Sequence, residues 1–174
     1  MPMAAPDGPR SSDDDRAVVA RLAVSVPAAS TRRRAAAVLG TERSAWAGEA
    51  LEGAVHAGER DRHLLDLELR VTEYAPRISF RKAAYIDVGP LRGGGRGPLS
   101  VGLAWRAAGL APLFPVFAGT LTWDNGELQL VGAYAPPAGE IGLVADRLVL
   151  NVAARGTARW LLSRIAAVMR GEVA

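Results

Sequence analysis

The sequence predicts an α+β domain in which one antiparallel sheet is covered by a long C-terminal helix. In the middle of the chain, several segments alternate apolar and polar residues, which is the period of strands with one buried face. From Ile141 to Val168, apolar residues recur instead at helical spacing, after two consecutive prolines that strands do not tolerate. A run of strands with helices near the two sequence ends is typical of the α+β class.

Composition narrows the classes of protein to consider. The 174 residues, 49% hydrophobic and 22% charged, suit one domain with its own core. There is no cysteine, which excludes disulfides and thiolate metal sites. The net charge is only +3, and Lys82 is the sole lysine among the basic residues. No basic stripe extends beyond Arg32–Arg34, so no nucleic-acid partner is expected.

The first residues differ in composition from the rest. Residues 1–16, "MPMAAPDGPRSSDDDR", mix Pro, Gly, Ser and Asp without periodicity and lack the apolar core of a signal peptide. We predict a disordered N-terminal segment there and a single domain over residues 17–174. No stretch approaches the roughly 18 uninterrupted apolar residues of a membrane span. The protein is therefore expected to be soluble and cytoplasmic, with no integral membrane segment.

The N-terminal part of the domain predicts a strand followed by two helices. Residues 17–26 are rich in valine and alternate loosely, as a strand does. Residues 31–40 form the first predicted helix, capped by Ser30 or Thr31. In the first part of residues 41–63, apolar side chains recur at helical spacing and predict a second helix. These side chains are Ala45, Trp46, Ala50, Leu51 and Ala54.

Three strands are predicted next, because apolar and polar residues alternate along residues 64–71, 78–88 and 99–106, strictly in the first and with Lys82 as the exception in the second. Each segment places its apolar side chains on one face. The faces comprise Leu65, Leu67, Leu69 and Val71 in the first, Ile78, Phe80, Ala84, Ile86 and Val88 in the second, and Leu99, Val101, Leu103 and Trp105 in the third.

A hairpin supplies the last two predicted strands. Asp124-Asn125-Gly126 separates two alternating runs, and Asx-Gly in this position is a strong hairpin signal. The two strands present Phe117, Leu121 and Trp123, then Leu128 and Leu130, on their apolar faces. Pro136 and Pro137 end the predicted sheet.

The C-terminal helix is predicted to run to about Arg170, with more apolar surface than a helix on the outside of a small domain needs. Gly156 marks either a bend or a close contact with the sheet. The charged residues are expected to form the strip that faces water or a cavity mouth. They are Asp146, Arg147, Arg155, Arg159 and Arg164.

The order of these elements resembles the helix-grip fold of the START/Bet v 1-like superfamily, also called SRPBCC. The resemblance covers roughly Ala17 to Arg170 and is sharpest over residues 114–169. There a hairpin, Gly-x-Tyr, a double proline, Gly-x-x-Gly, Asp-Arg and a long helix follow one another, as in uncharacterised bacterial members. The resemblance implies a curved antiparallel sheet of about six to seven strands wrapped around the C-terminal helix. It also implies two short helices that close one end, and a hydrophobic cavity between sheet and helix.

The same resemblance implies non-enzymatic binding of a small hydrophobic or amphipathic ligand, such as a lipid, a polyketide or an aromatic metabolite, without a cofactor. The apolar candidates for ligand contact are Phe80, Trp105, Phe117, Leu121, Trp123, Leu128, Leu130, Leu148 and Val152. Each of them would also be explained by ordinary core packing. The candidate polar anchors are Lys82, Tyr85 and Arg147, the last as a partner for a ligand carboxylate.

Two other functions stay open. One is a polyketide cyclase/dehydratase-like enzyme in the same cavity, with protons handled by Tyr85, Tyr134, Arg81 or Asp87. No convergent acid–base pair or Gly-x-Ser-x-Gly motif favours it. The other is an interaction or structural domain with a filled core. A homodimer is left open as well.

Lys82 lies where alternation predicts an inward residue. Three interpretations compete: a buried and functional ammonium group, a bulge that shifts the register by one residue, or a side chain that reaches water at an edge. A bulge would turn Arg81 and Tyr85 inward instead.

Two further motifs invite a functional interpretation that their spacing does not support. His56 and His63, with Glu59 between them, are too far apart on one helix to share a metal and are expected to be solvated surface residues. Residues 92–97, "RGGGRG", lack the Gly-Lys-Ser/Thr ending of a phosphate loop. We expect a mobile loop at a cavity mouth.

Overall fold

The computed structural model describes residues 20–51, 60–70, 79–109, 116–135 and 145–172. The predicted disordered segment 1–16 and the double proline lie outside these residues, as do His56 and Glu59.

One strand, two helices, a run of strands and a long helix follow one another in the predicted order, with the short β2 as an additional strand, which confirms the α+β class. Within the described ranges the elements are β1 (Ala20–Pro27), α1 (Arg32–Gly40), α2 (Ser44–Ala47), β2 (Glu49–Ala50), β3 (Asp61–Arg70), β4 (Ser79–Val88), β5 (Leu99–Ala107), β6 (Val116–Asp124), β7 (Glu127–Ala135) and α3 (Ala145–Arg170).

All seven of these strands join one curved antiparallel sheet in the order β1-β7-β6-β5-β4-β3-β2. The predicted hairpin between β6 and β7 is present, with positive φ angles of 46° at Asn125 and 82° at Gly126. Because neighbouring strands run in opposite directions, this turn lies at the same end of the sheet as Pro27, Val88 and Leu99. We call this end of the sheet the helical end, since α1 and α2 pack there.

The register aligns one set of inward side chains across the sheet. From β3 to β7, direct cross-strand partners follow one another in a row. This inner row consists of His63, Ile86, Trp105, Phe117 and Tyr134. All five side chains are buried.

Helix α3 lies in the concavity of the sheet and packs against β1 on one side and β3 on the other. At about 100° per residue, its buried positions span roughly 220° of the circumference. The exposed Arg159 falls in the remaining sector, but Arg155 lies just inside one edge of the buried sector, so the predicted charged strip holds for Arg159 and not for Arg155. The described helix is continuous through Gly156. Among the described residues, no helix is both long and apolar enough to cross a membrane.

The side chains of Asp146 and Arg147 lie outside the described set. Arg164 lies at the edge of the buried sector and donates to the carbonyl oxygens of Trp46 at 3.1 Å and Ala45 at 3.4 Å. Its guanidinium therefore joins α3 to the C-terminal end of α2, where helix carbonyls lack partners of their own.

Other arginines join the elements of the helical end in the same way. Arg34 donates to the carbonyl of Val168 near the end of α3, at 3.0 Å. Arg43 is buried and donates to the carbonyls of Leu39, at 3.1 Å, and Gly89, at 2.9 Å. A guanidinium offers five donors in a fixed plane and can serve several carbonyls at once. These arginines therefore have a structural use at the helical end.

The second predicted helix is much shorter than the spacing of its apolar residues indicates. It ends at Ala47 because Gly48 has a φ of 92°, and a Cβ at this position would overlap the carbonyl oxygen of Leu64. Ala50, predicted to be helical, instead pairs with His63 as part of β2.

The N-cap of α1 is Thr31, one of the two predicted capping residues. Its hydroxyl accepts a hydrogen bond from the backbone N–H of Arg34 at 3.2 Å.

Two glycines face each other on the concave side of the sheet. Gly119 in β6 and Gly132 in β7 are direct cross-strand partners. A Cβ on either would lie 2.6 Å from Cζ of Phe117, and a Cβ on Gly119 would also overlap the carbonyl oxygen of Val131. The ring of Phe117 thus covers the glycine pair, and no larger residue fits beneath it.

We predict that Gly119→Ala lowers the free energy of unfolding by about 1–3 kcal/mol, because the new methyl group must displace Phe117 or the β6–β7 backbone. Denaturant titration measures the change. Gly102→Ala in β5 is the matched control, since a Cβ there would meet nothing within 4 Å. Equal effects of the two substitutions would contradict the proposed close contact.

Candidate functional site

Aromatic side chains form the floor of the space between the sheet and α3. Trp105 and Phe117 stack with ring centroids 4.1 Å apart and planes at 18°. Tyr134 is the cross-strand partner of Phe117 and continues the inner row. These side chains are on the inward face of β5, β6 and β7, which are central strands of the sheet, so they face α3 across the concavity.

Most of the apolar residues predicted to contact a ligand meet in this interior. At most 6% of the surface is exposed for Trp105, Phe117, Leu121, Trp123, Leu128 and Leu130. Val152 on α3 is half-buried, whereas the side chains of Phe80 and Leu148 are outside the described set. The described inner side chains pack closely together, so core packing accounts for their burial in this state.

Trp105 differs from the other buried tryptophans in its hydrogen bonding. The indole N–H of Trp46 donates to the carbonyl of Val38 at 2.9 Å, and that of Trp123 donates to the carbonyl of Ala28 at 3.1 Å. The indole N–H of Trp105 is buried and has no partner in the described part of the chain. A buried donor without a partner costs about 1–3 kcal/mol, so its retention requires an explanation.

His63 carries a second buried polar atom without a partner. Only 3% of the residue is exposed, which corrects the expectation of a solvated surface histidine. Its Nδ1 lies 3.2 Å from the carbonyl oxygen of Gly48, and because a carbonyl only accepts, Nδ1 carries the proton. Nε2 of the neutral ring is then an acceptor, and it has no partner among the described residues.

The sequence did contain a signal for this burial. His63 has the same parity as Leu65 and Leu67, so extending the alternation of β3 by two residues would have turned it inward. Assigning residues 41–63 to a helical or loop segment concealed that signal. Within the described ranges, no group of three or more potential ligands is placed to hold a metal ion.

Thr157 on α3 carries the third such atom. The residue is fully buried, and its hydroxyl has no hydrogen-bond partner in the described structure, not even the carbonyl one turn earlier that helical threonines commonly use. The buried side chains of α3 are small around Thr157, and most of those closer to the C-terminus of the helix are large. The small residues are Ala153, Ala154 and Ala158, and the large ones are Leu161, Leu162, Ile165 and Met169.

Tyr134 provides a phenol at the end of the inner row. Burial raises its pKa above the usual value, and the positive charge of Arg155 acts in the opposite direction with a smaller effect. The phenol therefore stays protonated at neutral pH and can donate a hydrogen bond.

The candidate polar anchors do not join these interior groups. Lys82 pairs with Leu67 in an uninterrupted β3–β4 register, so no bulge shifts this part of the ladder. Its side chain is exposed, in agreement with a lysine that reaches water from an inward-facing position. Arg147 is among the α3 residues whose side chains are not described.

Tyr85 faces away from α3, on the outer surface of the sheet. Its ring lies between the guanidinium groups of Arg62, 5.7 Å away, and Arg106, 4.8 Å away. Asp87, on the same face, accepts two hydrogen bonds from Arg62 at 2.6 and 3.0 Å, and this pairing raises the pKa of Arg62. Arg81, a further candidate for handling protons, is exposed. Of the four candidates that the sequence offered for this role, the described structure therefore turns only Tyr134 inward.

An open pocket of about 250 Å³ lies at the helical end and meets the inner row of the sheet at His63. It is lined by Gly40, Thr41, Arg43, Ser44, Ala50, Leu51, Asp61, Arg62 and His63. Ser44, His63 and Asp61 do not form a catalytic triad there, because Nδ1 of His63 faces the carbonyl of Gly48 and Asp61 accepts from Arg43.

The glycine-rich loop also lies at the helical end. Residues 92–97 are exposed, Arg92 pairs with Ser100, and Arg32 donates to the carbonyl of Gly97. The loop thus packs beside α1.

Comparison with known proteins gives similarities of structure only. No protein-family model matches the sequence, and no curated protein matches it. The hypothetical protein jhp0584 from Helicobacter pylori is similar, with a TM-score of 0.47 and 10% identity over 97% of this chain and 100% of that one. DynU16, from the dynemicin biosynthetic locus, has a TM-score of 0.41 and 22% identity over 89% of this chain and 48% of that one. This chain thus spans about half of DynU16, and with both TM-scores under 0.5 neither likeness supports a functional conclusion.

The raised pKa of Tyr134 predicts a stability that decreases in alkaline solution. An unfolded tyrosine loses its proton near pH 10, before the folded one does, so the unfolded state gains the advantage as pH rises further. Denaturant titrations from about pH 9 to about pH 11 should show a smaller decrease for Tyr134→Phe than for the unmodified protein. The two should have the same pH dependence from about pH 6 to about pH 8, where tyrosine does not titrate. Parallel curves at alkaline pH would show that Tyr134 is not buried in solution.

Proposed function

We propose that this protein binds a small hydrophobic or amphipathic molecule between the concave face of its sheet and α3, and that it holds or carries this molecule without transforming it. The observation that carries the proposal is the set of buried polar atoms without partners, Nε2 of His63, Nε1 of Trp105 and Oγ1 of Thr157, in an otherwise apolar interior. A bound molecule that hydrogen-bonds to them would remove a cost that the empty protein has to bear.

The distribution of side-chain sizes along α3 suggests where the molecule lies. The small residues Ala153, Ala154 and Ala158 belong to the part of the helix nearer its N-terminus, away from the helical end. The large residues pack the core near α1 and α2. Since the described interior is closed, binding requires side chains in the small-residue part to move apart, which costs less there than in the packed part.

We further propose membership of the START/Bet v 1-like superfamily. Two features support this assignment: the strand order β1-β7-β6-β5-β4-β3-β2, and a long terminal helix held between β1 and β3. Binding is preferred to catalysis because Asp87 and Tyr85 lie on the outer face of the sheet, away from the interior groups. A general acid and a general base have to converge on one substrate atom.

Native mass spectrometry of protein purified from its own host tests the function. We expect a bound small molecule that is released when the protein is denatured. Ala153→Leu, which enlarges an inward residue in the small-residue part of α3, should abolish the bound mass, provided thermal unfolding shows that the variant is folded. Ser163→Leu, the same increase in apolar bulk on the exposed strip, should retain it. Repeated absence of a bound mass from the unmodified protein, together with no binding of an added apolar molecule, would overturn the proposal.

A second prediction concerns the cost of the unpartnered hydroxyl. Thr157→Val replaces it with a methyl group of nearly the same shape and should raise the free energy of unfolding of the ligand-free protein by about 1 kcal/mol. Denaturant titration measures this, with Thr157→Ser, which keeps the hydroxyl and loses a methyl group, expected to be less stable than the unmodified protein. Loss of stability in Thr157→Val would mean that the hydroxyl has a partner in solution.

A further inference from the structure

We infer that the ligand is an elongated apolar molecule with a hydrogen-bond acceptor, such as a carbonyl oxygen, at one end and a hydroxyl group at the other, held by Trp105 and His63 respectively. This inference rests on the proposed function and specifies the chemistry of its ligand. It is carried by the opposite hydrogen-bonding characters of two buried atoms in one row of the sheet.

The two side chains have fixed and complementary roles. An indole N–H only donates, so the group that meets Nε1 of Trp105 has to be an acceptor. With the proton of His63 on Nδ1, facing the carbonyl of Gly48 at 3.2 Å, Nε2 only accepts and requires a donor. Because one group only donates and the other only accepts, a ligand can satisfy both in one orientation only.

The sheet sets the distance between them. His63 pairs with Ile86, and Ile86 pairs with Trp105, so the two backbones are two strand spacings apart. Neighbouring strands lie about 4.8 Å apart, which gives a separation of roughly 10 Å. The fully buried side chain of Ile86 lies between them and offers only apolar contact. A ligand with its two oxygens at opposite ends of a flat hydrocarbon body matches this arrangement.

If Trp105 only filled the core, its indole N–H would be expected to have a hydrogen-bond partner. Trp46 and Trp123 are as deeply placed, yet each donates to a backbone carbonyl. A tryptophan that served only to fill the core could be satisfied in the same way, or replaced by phenylalanine. The unpartnered donor and the unpartnered acceptor are instead in the same inner row as the stacked ring of Phe117.

Three naphthalenes test the inference by fluorescence titration of the ligand-free protein. They are 2-isopropylnaphthalene, with no polar group, 2-acetylnaphthalene, with a carbonyl at one end, and 6-hydroxy-2-acetylnaphthalene, with a hydroxyl added at the other end. We expect affinity to rise in that order, by roughly 5- to 20-fold for each matched hydrogen bond.

Two conservative variants separate the roles. Trp105→Phe removes the N–H and keeps an aromatic ring, so it should weaken binding of both ketones roughly 5- to 20-fold and leave the isopropyl compound unchanged. His63→Asn keeps a donor for the carbonyl of Gly48 and removes the acceptor at Nε2. It should weaken only the hydroxylated ketone.

The outcomes distinguish the inference from the function on which it rests. If all three compounds bind with equal affinity and neither variant matters, the assigned ligand chemistry is wrong and interior binding stands. If none of the three binds, while a co-purified molecule is found by mass spectrometry, the size and chemistry inferred here are wrong. If neither experiment shows a bound molecule, the function itself is overturned.

Nuclear magnetic resonance provides a readout that does not depend on the variants folding. In ¹⁵N-labelled protein, 2-acetylnaphthalene should shift the indole N–H signal of Trp105 downfield, as a new hydrogen bond does. The signals of Trp46 and Trp123, which already have carbonyl partners, should move much less. An unmoved Trp105 signal at saturating ketone would overturn the inference.

Discussion

The structure depends on one requirement: the concave face of the sheet has to be covered by an apolar surface, and α3 supplies it. A curved antiparallel sheet leaves a face that no neighbouring strand can bury. Because β1 and β3 approach the helix from two sides, α3 buries roughly 220° of its circumference. Its high apolar content, which exceeds what a surface helix needs, follows from this enclosure.

That enclosure explains the arrangement at the helical end. A helix held in a sheet still leaves carbonyls without partners at its terminus, and the two short helices beside it do the same. Arg43 and Arg164 donate to such carbonyls, and Arg34 adds a second donor to the carbonyl of Val168, which also accepts from the backbone N–H of Gly171. Guanidinium groups can do this while remaining partly hydrated, which lysine does less well at several acceptors at once. The predominance of arginine among the basic residues is thus in part an architectural property.

The enclosure also explains why the interior is the candidate site. Backbone carbonyls at the helical end are within reach of Trp46 and Trp123, but the middle of a sheet has its own carbonyls engaged in the ladder. A polar side chain in the middle of the inner row therefore finds no backbone partner, and the proposed ligand would supply one. The glycine pair beneath Phe117 adds to this, because it fixes the ring that stacks on Trp105.

The sequence by itself determined the α+β class, six strands and the Asn125-Gly126 turn, since alternation and positive-φ residues are local signals. It also identified the inward faces of β5, β6 and β7. The tertiary structure alone decided the end of α2 at Gly48, because the overlap of a Cβ with the carbonyl oxygen of Leu64 depends on what a distant strand places there. It also decided that β3 begins early enough to bury His63 and pairs with β4 without a bulge, which leaves Tyr85 on the outer face as the alternation allows. Which polar atoms lack partners was decided in the same way, because a missing hydrogen bond is a property of the whole packed interior.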